Sequence, residues 1–234
     1  MVAQTGTDLR ERIVLAAAGL LEAEGLEAVS TRAVASGAGV PPPTIFRVFG
    51  DKERLLEAVG EYGFTRYLEQ KATLLTQEDP VAALRDAWDL HVEFGLAHPA
   101  YYTLVYGRVR FGYLPPAGQR AAEGLRQMIT RVAAAGRLRM SVERAAEVMH
   151  GAGVGTILTL ISEPSDRRDL AAAEVAREMV IATISTESAA GAPSGTAASA
   201  MALRAALGGQ AAPLSVGERT LLLEWLNRLA DGSP

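Results

Sequence analysis

Residues 31–56 read TRAVASGAGVPPPTIFRVFGDKERLL, and their spacing predicts two short helices joined by a tight turn, followed by the start of a long helix. Ala35 is small enough for a second helix to cross closely over it, and Gly39 follows where a turn between crossing helices needs a positive φ. Ile45 and Val48 then recur at helical spacing on the buried face of the second helix. This is the helix-turn-helix pattern, in which the second helix lies in the major groove of DNA.

A run of prolines at residues 41–43 marks the start of the second helix. Proline is tolerated in the first turn of a helix, because the N–H groups there have no partner within the helix, and it disrupts the interior. The second helix is therefore expected to begin near the second or third proline and to run to about Phe49. Gly50 ends it, and Asp51 is a suitable N-cap for the long helix that follows.

Residues 10–56 resemble the DNA-binding signature of the tetracycline-repressor (TetR) family of bacterial transcriptional regulators. The residues that match the family pattern are Val40, Thr44, Ile45, Phe46, Phe49, Lys52, Leu55 and Leu56. The chain departs from the pattern in two ways. Phe46 stands where the family usually has a tyrosine whose hydroxyl reaches a phosphate, and the proline run removes N–H donors from the end of the helix that faces the DNA backbone.

The resemblance implies an all-α fold with three parts. Residues 8–52 would form a three-helix DNA-binding domain, residues 53–190 a larger domain for effector binding and dimerisation, and residues 191–234 a linker with extra C-terminal helices. The first helix is expected to begin at Asp8 and to end at Gly25. Later helices are expected at about 52–76, 80–98, 100–110, 119–135, 141–161, 167–186, 197–207 and 215–230. The segment ESAAGAPSGT at residues 187–196 favours a linker or mobile loop.

The amino-acid composition limits the classes of protein to which the chain can belong. Of the 234 residues 49% are hydrophobic, which is enough for a sizeable core, and the absence of cysteine excludes disulfides and thiolate metal sites. No signal peptide is apparent, and the most apolar run, residues 154–161, is too short to span a bilayer. A cytoplasmic location without a membrane partner is therefore expected.

Charge is unevenly distributed along the chain. The whole chain has a net charge of -4, whereas residues 31–56 contain four basic and two acidic side chains, a local charge of +2. A small basic face on an acidic body favours site-specific binding of double-stranded DNA over indiscriminate coating.

The resemblance also implies which residues meet DNA. Thr44 and Arg47 would reach base edges, because arginine can pair bidentately with guanine. Thr31, Arg32 and Lys52 would hold phosphates and set the register, and Thr31 can also act simply as part of a helix cap. The full set expected at the DNA surface is Thr31, Arg32, Pro42, Pro43, Thr44, Phe46, Arg47 and Lys52.

A homodimer is the second implication of the resemblance. In the family the last two common helices pair with their copies in a four-helix bundle, and residues 141–161 and 167–186 would supply it here. Packing of residues 141–161 within one chain is the alternative. A two-fold dimer requires a near-palindromic operator with half-sites about 34–36 Å apart.

The third implication is an effector pocket, which in the family is enclosed by the helices that follow the long bridging helix. Aromatic walls with few polar groups suit a small apolar or aromatic ligand. The alternative for each residue is an ordinary place in the core. The residues expected to line the pocket are Trp88, His91, Tyr102, Tyr106, Met128 and His150.

No metal, cofactor or catalytic site is expected. Glu147 and His150 have the Glu-x-x-His spacing of di-iron bundles, which need a second such pair that the chain lacks. Gly151, Gly153 and Gly155 lack the preceding strand of a dinucleotide loop and favour close helix packing instead. No Ser–His–Asp arrangement or pair of catalytic carboxylates can be defended from spacing.

These observations favour a homodimeric repressor that a small ligand releases from its operator. The alternative is a helical small-molecule-binding protein with degenerate DNA binding, which the proline run and Phe46 favour. A third hypothesis, that the protein is an α-helical enzyme, has little support in the sequence.

Overall fold

The computed structural model describes residues 2–108, 110–187, 196–208 and 214–231. Over these ranges the chain forms α-helices and short 3-10 helices and contains no strand, which confirms the predicted all-α fold. The predicted linker at residues 187–196 falls almost entirely outside the described residues.

The chain divides into two compact units. Unit 1 comprises Met1–Glu69 and Glu93–Ala121, and unit 2 comprises Gln70–Val92 and Ala122–Pro234. The domain boundaries expected near residues 52 and 190 were assigned by function, and the division into compact units does not test them. They stay predictions.

Unit 1 contains the first three α-helices, most of the long fourth helix, and the sixth helix. Its helices are α1 (Val2–Glu24), a 3-10 turn (Leu26–Ala28), α2 (Thr31–Gly37), α3 (Pro43–Phe49), most of α4 (Lys52–Thr73) and α6 (Pro99–Tyr106). α1 begins at Val2 and not at Asp8, so Asp8 lies inside the helix and caps nothing. Gly25 ends α1 as predicted, with a φ of 82° that favours glycine.

Unit 2 contains the remaining helices. They are most of α5 (Pro80–Ala97), most of α7 (Pro116–Ala134), α8 (Val142–Ser162), α9 (Leu170–Ile184), α10 (Thr196–Gly208) and α11 (Val216–Asp231), with 3-10 turns at Leu74–Thr76 and Ser165–Arg167. Asp79 caps α5, since its carboxylate accepts hydrogen bonds from the N–H groups of Val81 at 2.8 Å and Ala82 at 3.3 Å.

Two helix boundaries differ from the prediction around residues 107–118. α6 ends at Tyr106, because Gly107 serves as its C-cap and donates to the carbonyl of Thr103. α7 begins at Pro116, which the sequence assigned to a loop. Proline is favoured in a first helical turn, so the second proline of this segment starts the helix.

The C-terminal helices cover the core of their own unit. Met201 of α10 and Ala230 of α11 belong to the apolar cluster built from α5, α7, α8 and α9. The backbone N–H and the hydroxyl of Ser141 both donate to the carboxylate of Asp231, at 2.9 and 2.8 Å. Arg204 forms an ion pair with Glu143 of α8. The tail therefore completes unit 2.

α8 is a long and largely apolar helix, with Glu143, Arg144 and Glu147 confined to its first half. By length and hydropathy it qualifies as a membrane span, a property that core helices of water-soluble proteins share. One face of α8, including Met149, Gly153 and Ile157, is buried within the chain. Helix packing within the chain accounts for this buried face, which makes up 28% of the apolar window.

Candidate DNA-binding surface and ligand site

The turn between α2 and α3 has the geometry that the sequence predicts. The Ser30 hydroxyl caps α2 by accepting a hydrogen bond from the Ala33 N–H at 3.1 Å. Gly39 has a φ of 64°, which lets the chain reverse between the helices. Ala35 is fully buried, and its carbonyl accepts from the Val40 N–H at 2.9 Å. A helix-turn-helix is therefore present.

The proline run starts α3 without breaking it. Pro42 is the N-cap, and the N–H groups of Thr44 and Ile45 donate to the carbonyls of Pro41 and Pro42 at 2.9 and 3.1 Å. The prolines thus act as acceptors in the first turn, where their missing N–H groups would have had no helical partner.

The end of α3 is equally well defined. Gly50 ends the helix with a φ of 85°. Asp51 caps α4 by accepting from the Arg54 N–H at 2.8 Å. Ile45 and Phe49 are buried beneath α3, so its opposite face is held outward.

The predicted DNA-binding residues lie together on the helix-turn-helix. Arg32, Pro42, Pro43 and Arg47 are exposed, and Phe46 is exposed over 52% of its surface. Thr31, Thr44 and Lys52 are half-buried. Phe46 and Arg47 project from the exposed side of α3, whose buried side holds Ile45 and Phe49, so they are available to a partner. Their contacts with DNA stay predictions.

An ion-pair network that the sequence did not reveal lies at the start of α4. Glu53 pairs with Arg108 and Arg110, and Glu57 accepts a hydrogen bond from the Tyr113 hydroxyl. These partners come from the segment after α6, fifty residues or more away in sequence. Only the tertiary fold brings them next to Lys52.

Helix α6 is tied to two other helices of unit 1 through Tyr101. The Tyr101 hydroxyl donates to the carboxylate of Glu22 on α1, and burial raises the pKa of Tyr101 above its usual range. Its ring lies against Gly63 of α4, where an added Cβ would stand only 2.2 Å from the ring. α6 cannot shift without disturbing α1 or α4.

Tyr102 and Tyr106, two of the predicted pocket residues, belong to an aromatic cluster in unit 1. The Tyr67 ring stacks on Phe94 with centroids 4.7 Å apart, and Phe64 meets Phe94 edge-on at the same distance. The centroids of Tyr102 and Tyr106 are 4.9 Å apart. All five rings are buried, and burial raises the pKa of each of the three tyrosines. We call these five residues the aromatic cluster.

The other four predicted pocket residues lie in unit 2. Trp88 and His91 stand one turn apart on α5 and both lie against Gly153 of α8, where an added Cβ would be 3.7 Å from Trp88 Cζ3 and 3.5 Å from His91 Nδ1. His150 precedes Gly153 by one turn on α8. Met128 is buried in the apolar cluster of the same unit.

A buried lysine completes this region. Lys71 lies in the last turn of α4 and is only 7% exposed. Burial lowers the pKa of Lys71 to about 8. The pKa of His91 falls because of burial and then because of the positive charges of Lys71 and His150, and that of His150 falls because of burial and the Lys71 charge. We call Lys71, His91 and His150 the basic cluster.

The sequence analysis missed Lys71, although a signal for it existed. Phe64, Tyr67 and Lys71 are spaced at i, i+3 and i+7 along α4, which puts the lysine on the same buried face as the two rings. A lysine at such a position is unusual because lysine is almost never fully buried.

Unit 2 also holds a cavity of about 390 Å³ between α7, α8 and the C-terminal helices. Its volume lies within the range of small-ligand sites. Its three arginines are engaged: Arg204 with Glu143, Arg126 with Glu123, and Arg219 with the carbonyl of Leu207 at 3.0 Å. None of the predicted pocket residues lines this cavity. The lining residues are Arg126, Gln127, Thr130, Ala133, Leu138, Ser141, Val142, Met201, Arg204, Arg219, Leu223 and Ala230.

Metal ligation is unsupported by the geometry of the described residues. Among them no group of three or more His, Cys, Asp or Glu side chains could hold a metal ion. Glu147 faces solvent whereas His150 is half-buried, so the pair does not converge on one buried point.

Residues 13–59 match the family model described as bacterial regulatory proteins, tetR family. The HTH-type transcriptional regulator YobS of Bacillus subtilis (strain 168) is 26% identical over 93 residues, which span 40% of this chain and 49% of YobS. The chain thus matches about half the length of that curated relative.

Solved structures share the fold over most of the chain. The structure of RolR in complex with resorcinol has a TM-score of 0.62 and 20% identity, covering 80% of this chain and 92% of that one. A protein from Rhodococcus sp. RHA1 has a TM-score of 0.59 and 23% identity, covering 76% and 96%. The multidrug binding protein EbrR complexed with imidazole has a TM-score of 0.55 and 22% identity, also covering 76% and 96%.

Proposed function

The chain belongs to the TetR family of bacterial regulatory proteins, and on that premise we propose that it is a homodimeric repressor released from its operator by a small ligand. As a member of this family it is a DNA-binding transcriptional regulator. The observation that carries the proposal is the outward face of α3, where Phe46 and Arg47 stand exposed over a buried Ile45. We expect the protein to act in the cytoplasm and to have no catalytic role.

DNA recognition is proposed to follow the geometry of α3. Thr44 and Arg47 read base edges in the major groove, Pro42, Pro43 and Phe46 make apolar contacts beside them, and Thr31, Arg32 and Lys52 hold phosphates. Phe46 exposes apolar surface where a tyrosine would offer a hydroxyl. We expect less phosphate anchoring there and more contact with sugars or thymine methyl groups.

The homodimer is supported by exposed apolar residues on α8 and α9. Val148, Leu170, Val175 and Met179 are exposed, and Met179 presents 66% of its surface. Val175 and Met179 are one turn apart on α9 and so lie on one face. Monomeric proteins rarely leave such a face uncovered, and a second copy would bury it symmetrically. The inner face of α8 packs within its own chain.

The effector site is proposed in unit 2, at Trp88, His91, His150 and the neighbouring Met128. Trp88 and His91 pack against Gly153, and Trp88 and Met128 belong to the buried apolar cluster, so the wall is apolar with a few polar groups and suits a small aromatic ligand. The structurally similar RolR holds resorcinol and EbrR holds imidazole, both small rings. For Tyr102 and Tyr106 a ligand role stays a prediction, and within unit 1 they complete the aromatic cluster.

Release from DNA is proposed to follow from linkage. A ligand that binds more tightly when the two recognition helices are too far apart for one operator must weaken DNA binding. The ligand lowers the affinity for DNA by the same factor as DNA lowers the affinity for the ligand. In unit 1 the Tyr101–Glu22 hydrogen bond connects α6 with α1, which packs against α2. A shift of α6 would therefore move the helix-turn-helix.

Selection from a randomised duplex library tests the proposal. We expect the purified dimer to enrich a near-palindromic site with half-sites about one helical turn apart. Failure to enrich any sequence would favour the alternative, a helical small-molecule-binding protein with degenerate DNA binding. The proline run and Phe46 are the features that support that alternative.

A further inference from the structure

We propose that the cavity between α7, α8 and the two C-terminal helices is a second small-molecule site, and that its ligand is an organic acid with an apolar body whose anionic group is bound by Arg219. The cavity shares no lining residue with the effector site proposed around Trp88. The inference therefore goes beyond the proposed function and does not depend on it.

The cavity has an apolar floor and a polar rim. Its volume of about 390 Å³ exceeds the roughly 150 Å³ that suffices for benzene, so it has room for a fused ring system or a medium-length chain. Arg126, Gln127 and Thr130 of α7 are exposed and form the rim. A ligand with an apolar body gains most from such a floor. The buried floor residues are Ala133, Leu138, Val142, Met201 and Ala230.

The C-terminal helices supply one whole wall of this cavity. Met201 and Arg204 lie one turn apart on α10, and Arg219 and Leu223 lie one turn apart on α11. Each pair presents one apolar and one basic side chain to the same space. A chain that ended after α9 would lack this wall, so the site is a property of the C-terminal helices.

Arg219 supplies a positive charge that no carboxylate of the described residues neutralises. Its Nη2 donates to the carbonyl of Leu207 at 3.0 Å, and that acceptor is neutral. The neighbouring Glu218 instead accepts from the N–H and the hydroxyl of Ser215, at 2.8 and 2.7 Å. Residues 205–214, which precede α11, contain no Asp or Glu. Nε and Nη1 of Arg219 therefore remain as donors for an anion.

The other two arginines of the wall already have carboxylate partners. Arg204 pairs through both terminal nitrogens with Glu143. Arg126 pairs with Glu123 at 2.8 Å. Three arginines against two glutamates leave one positive charge, which comes from Arg219. A ligand with a single negative charge matches it, and arginine binds a carboxylate through strong charge-assisted hydrogen bonds.

One further acid beside the cavity is also matched. Asp231 accepts from the N–H and the hydroxyl of the wall residue Ser141, at 2.9 and 2.8 Å. It also pairs with Arg144 at 3.5 Å. These bonds join the end of α11 to the start of α8, so the Asp231 carboxylate holds the cavity together and leaves the charge of Arg219 uncompensated.

Isothermal titration of the full-length protein without DNA, at neutral pH, tests the proposal. The probes are 2-naphthoate with 2-naphthamide and octanoate with octanamide, and acetate serves as an acid without an apolar body. We expect at least one of the two larger acids to bind about tenfold or more tightly than its amide, because the amide forms no charge-assisted bond with Arg219. Acetate should bind about tenfold or more weakly than that acid, because it leaves the floor empty.

Two variants locate the site. Arg219→Gln removes the charge and keeps a donor for the carbonyl of Leu207, so it should weaken the acid by about tenfold or more and leave the amide within about twofold. Leu223→Trp fills the cavity from α11 and should weaken acid and amide alike. Arg228→Gln, an exposed change on the same helix and away from the cavity wall, is the matched control and should bind as the wild type does.

Four results would overturn the proposal: binding of neither larger acid, equal binding of acid and amide, acetate binding as tightly as the larger acids, or an acid affinity unchanged by Leu223→Trp. That variant still decides the location if Arg219→Gln fails to fold. Operator binding is a separate readout. An acid that binds here as expected, in a protein that enriches no duplex, would sink the proposed function and leave this site standing.

Discussion

The outer face of α3 and the basic cluster of unit 2 both present positively charged donors, but in opposite environments. Arg47 is exposed to water, whereas Lys71 is buried and its pKa falls to about 8. An exposed cation can meet a phosphate or a base without a large folding penalty. A cation buried in the protein interior lowers stability unless neighbouring groups compensate its charge.

The largest expected effect is on stability, and it comes from replacing the buried Lys71. Lys71→Met should raise the free energy of unfolding by up to about 3 kcal/mol at pH 7, because a lysine whose pKa falls from 10.5 to about 8 opposes folding by that much. Urea unfolding of the ligand-free protein measures it. The exposed control Arg66→Met should change stability little. A loss of stability in Lys71→Met would mean that the interactions of the lysine outweigh the cost of burying it.

The next largest effect is a loss of stability from disturbed packing in unit 1. Gly63→Ala should destabilise the protein by about 1–3 kcal/mol, because the new Cβ would clash with the ring of Tyr101 at 2.2 Å. Thermal unfolding measures the loss. Gly124→Ala, at a helical position where a Cβ meets nothing, is the matched control and should be neutral or slightly stabilising. Equal stability of the two variants would show that α6 is free to move.

On the exposed side, Arg47→Ala should weaken operator binding by roughly 1–3 kcal/mol and relax the base preference at one position of each half-site. Its unfolding free energy should stay unchanged, because the side chain is exposed. A gel-shift series over single-base variants of the operator measures both effects. Unchanged affinity and preference would remove Arg47 from base reading.

A smaller effect is expected for phosphate contacts. Lys52→Ala should weaken all duplexes alike and lower the dependence of log K on log salt by about one. Titrations at several salt concentrations, on operator and random DNA, measure it. A loss confined to the operator would contradict the phosphate role.

The pH dependence of stability distinguishes the buried cluster from the exposed face. The pKa values of His91 and His150 lie below 6.5 in the folded chain, so the unfolded chain binds protons first as the pH falls. Stability from this source is full above pH 6.5 and declines towards the folded pKa values. The double variant His91→Gln, His150→Gln should therefore lose less stability than the wild type between pH 7 and pH 5. A parallel loss would place the histidines in water.

The helix-turn-helix could be predicted from the sequence because its geometry is local. A serine cap, a glycine with positive φ and a proline-started helix all lie within twenty residues, and each obeys a backbone rule. The proline run did not prevent a correct prediction of α3, because the first turn of a helix needs no N–H donors.

The part of the chain after the helix-turn-helix was harder to predict, because its features depend on contacts between helices that are distant in sequence. Lys71 reads as an ordinary surface lysine until α4 is known to turn it inward with Tyr67. The hydrogen bond from Tyr101 to Glu22 and the pairing of Arg110 with Glu53 join residues far apart in sequence. The start of α1 was misplaced for a different reason, since a polar segment carries no periodicity that marks helix.

The central claim is that α3 of each subunit in a symmetric dimer reads DNA. Its most direct test is selection from a randomised duplex library, combined with the mass of the purified complex from light scattering. We expect a dimer bound to a near-palindromic site with half-sites about 34–36 Å apart. A monomer that enriches no duplex sequence would contradict it.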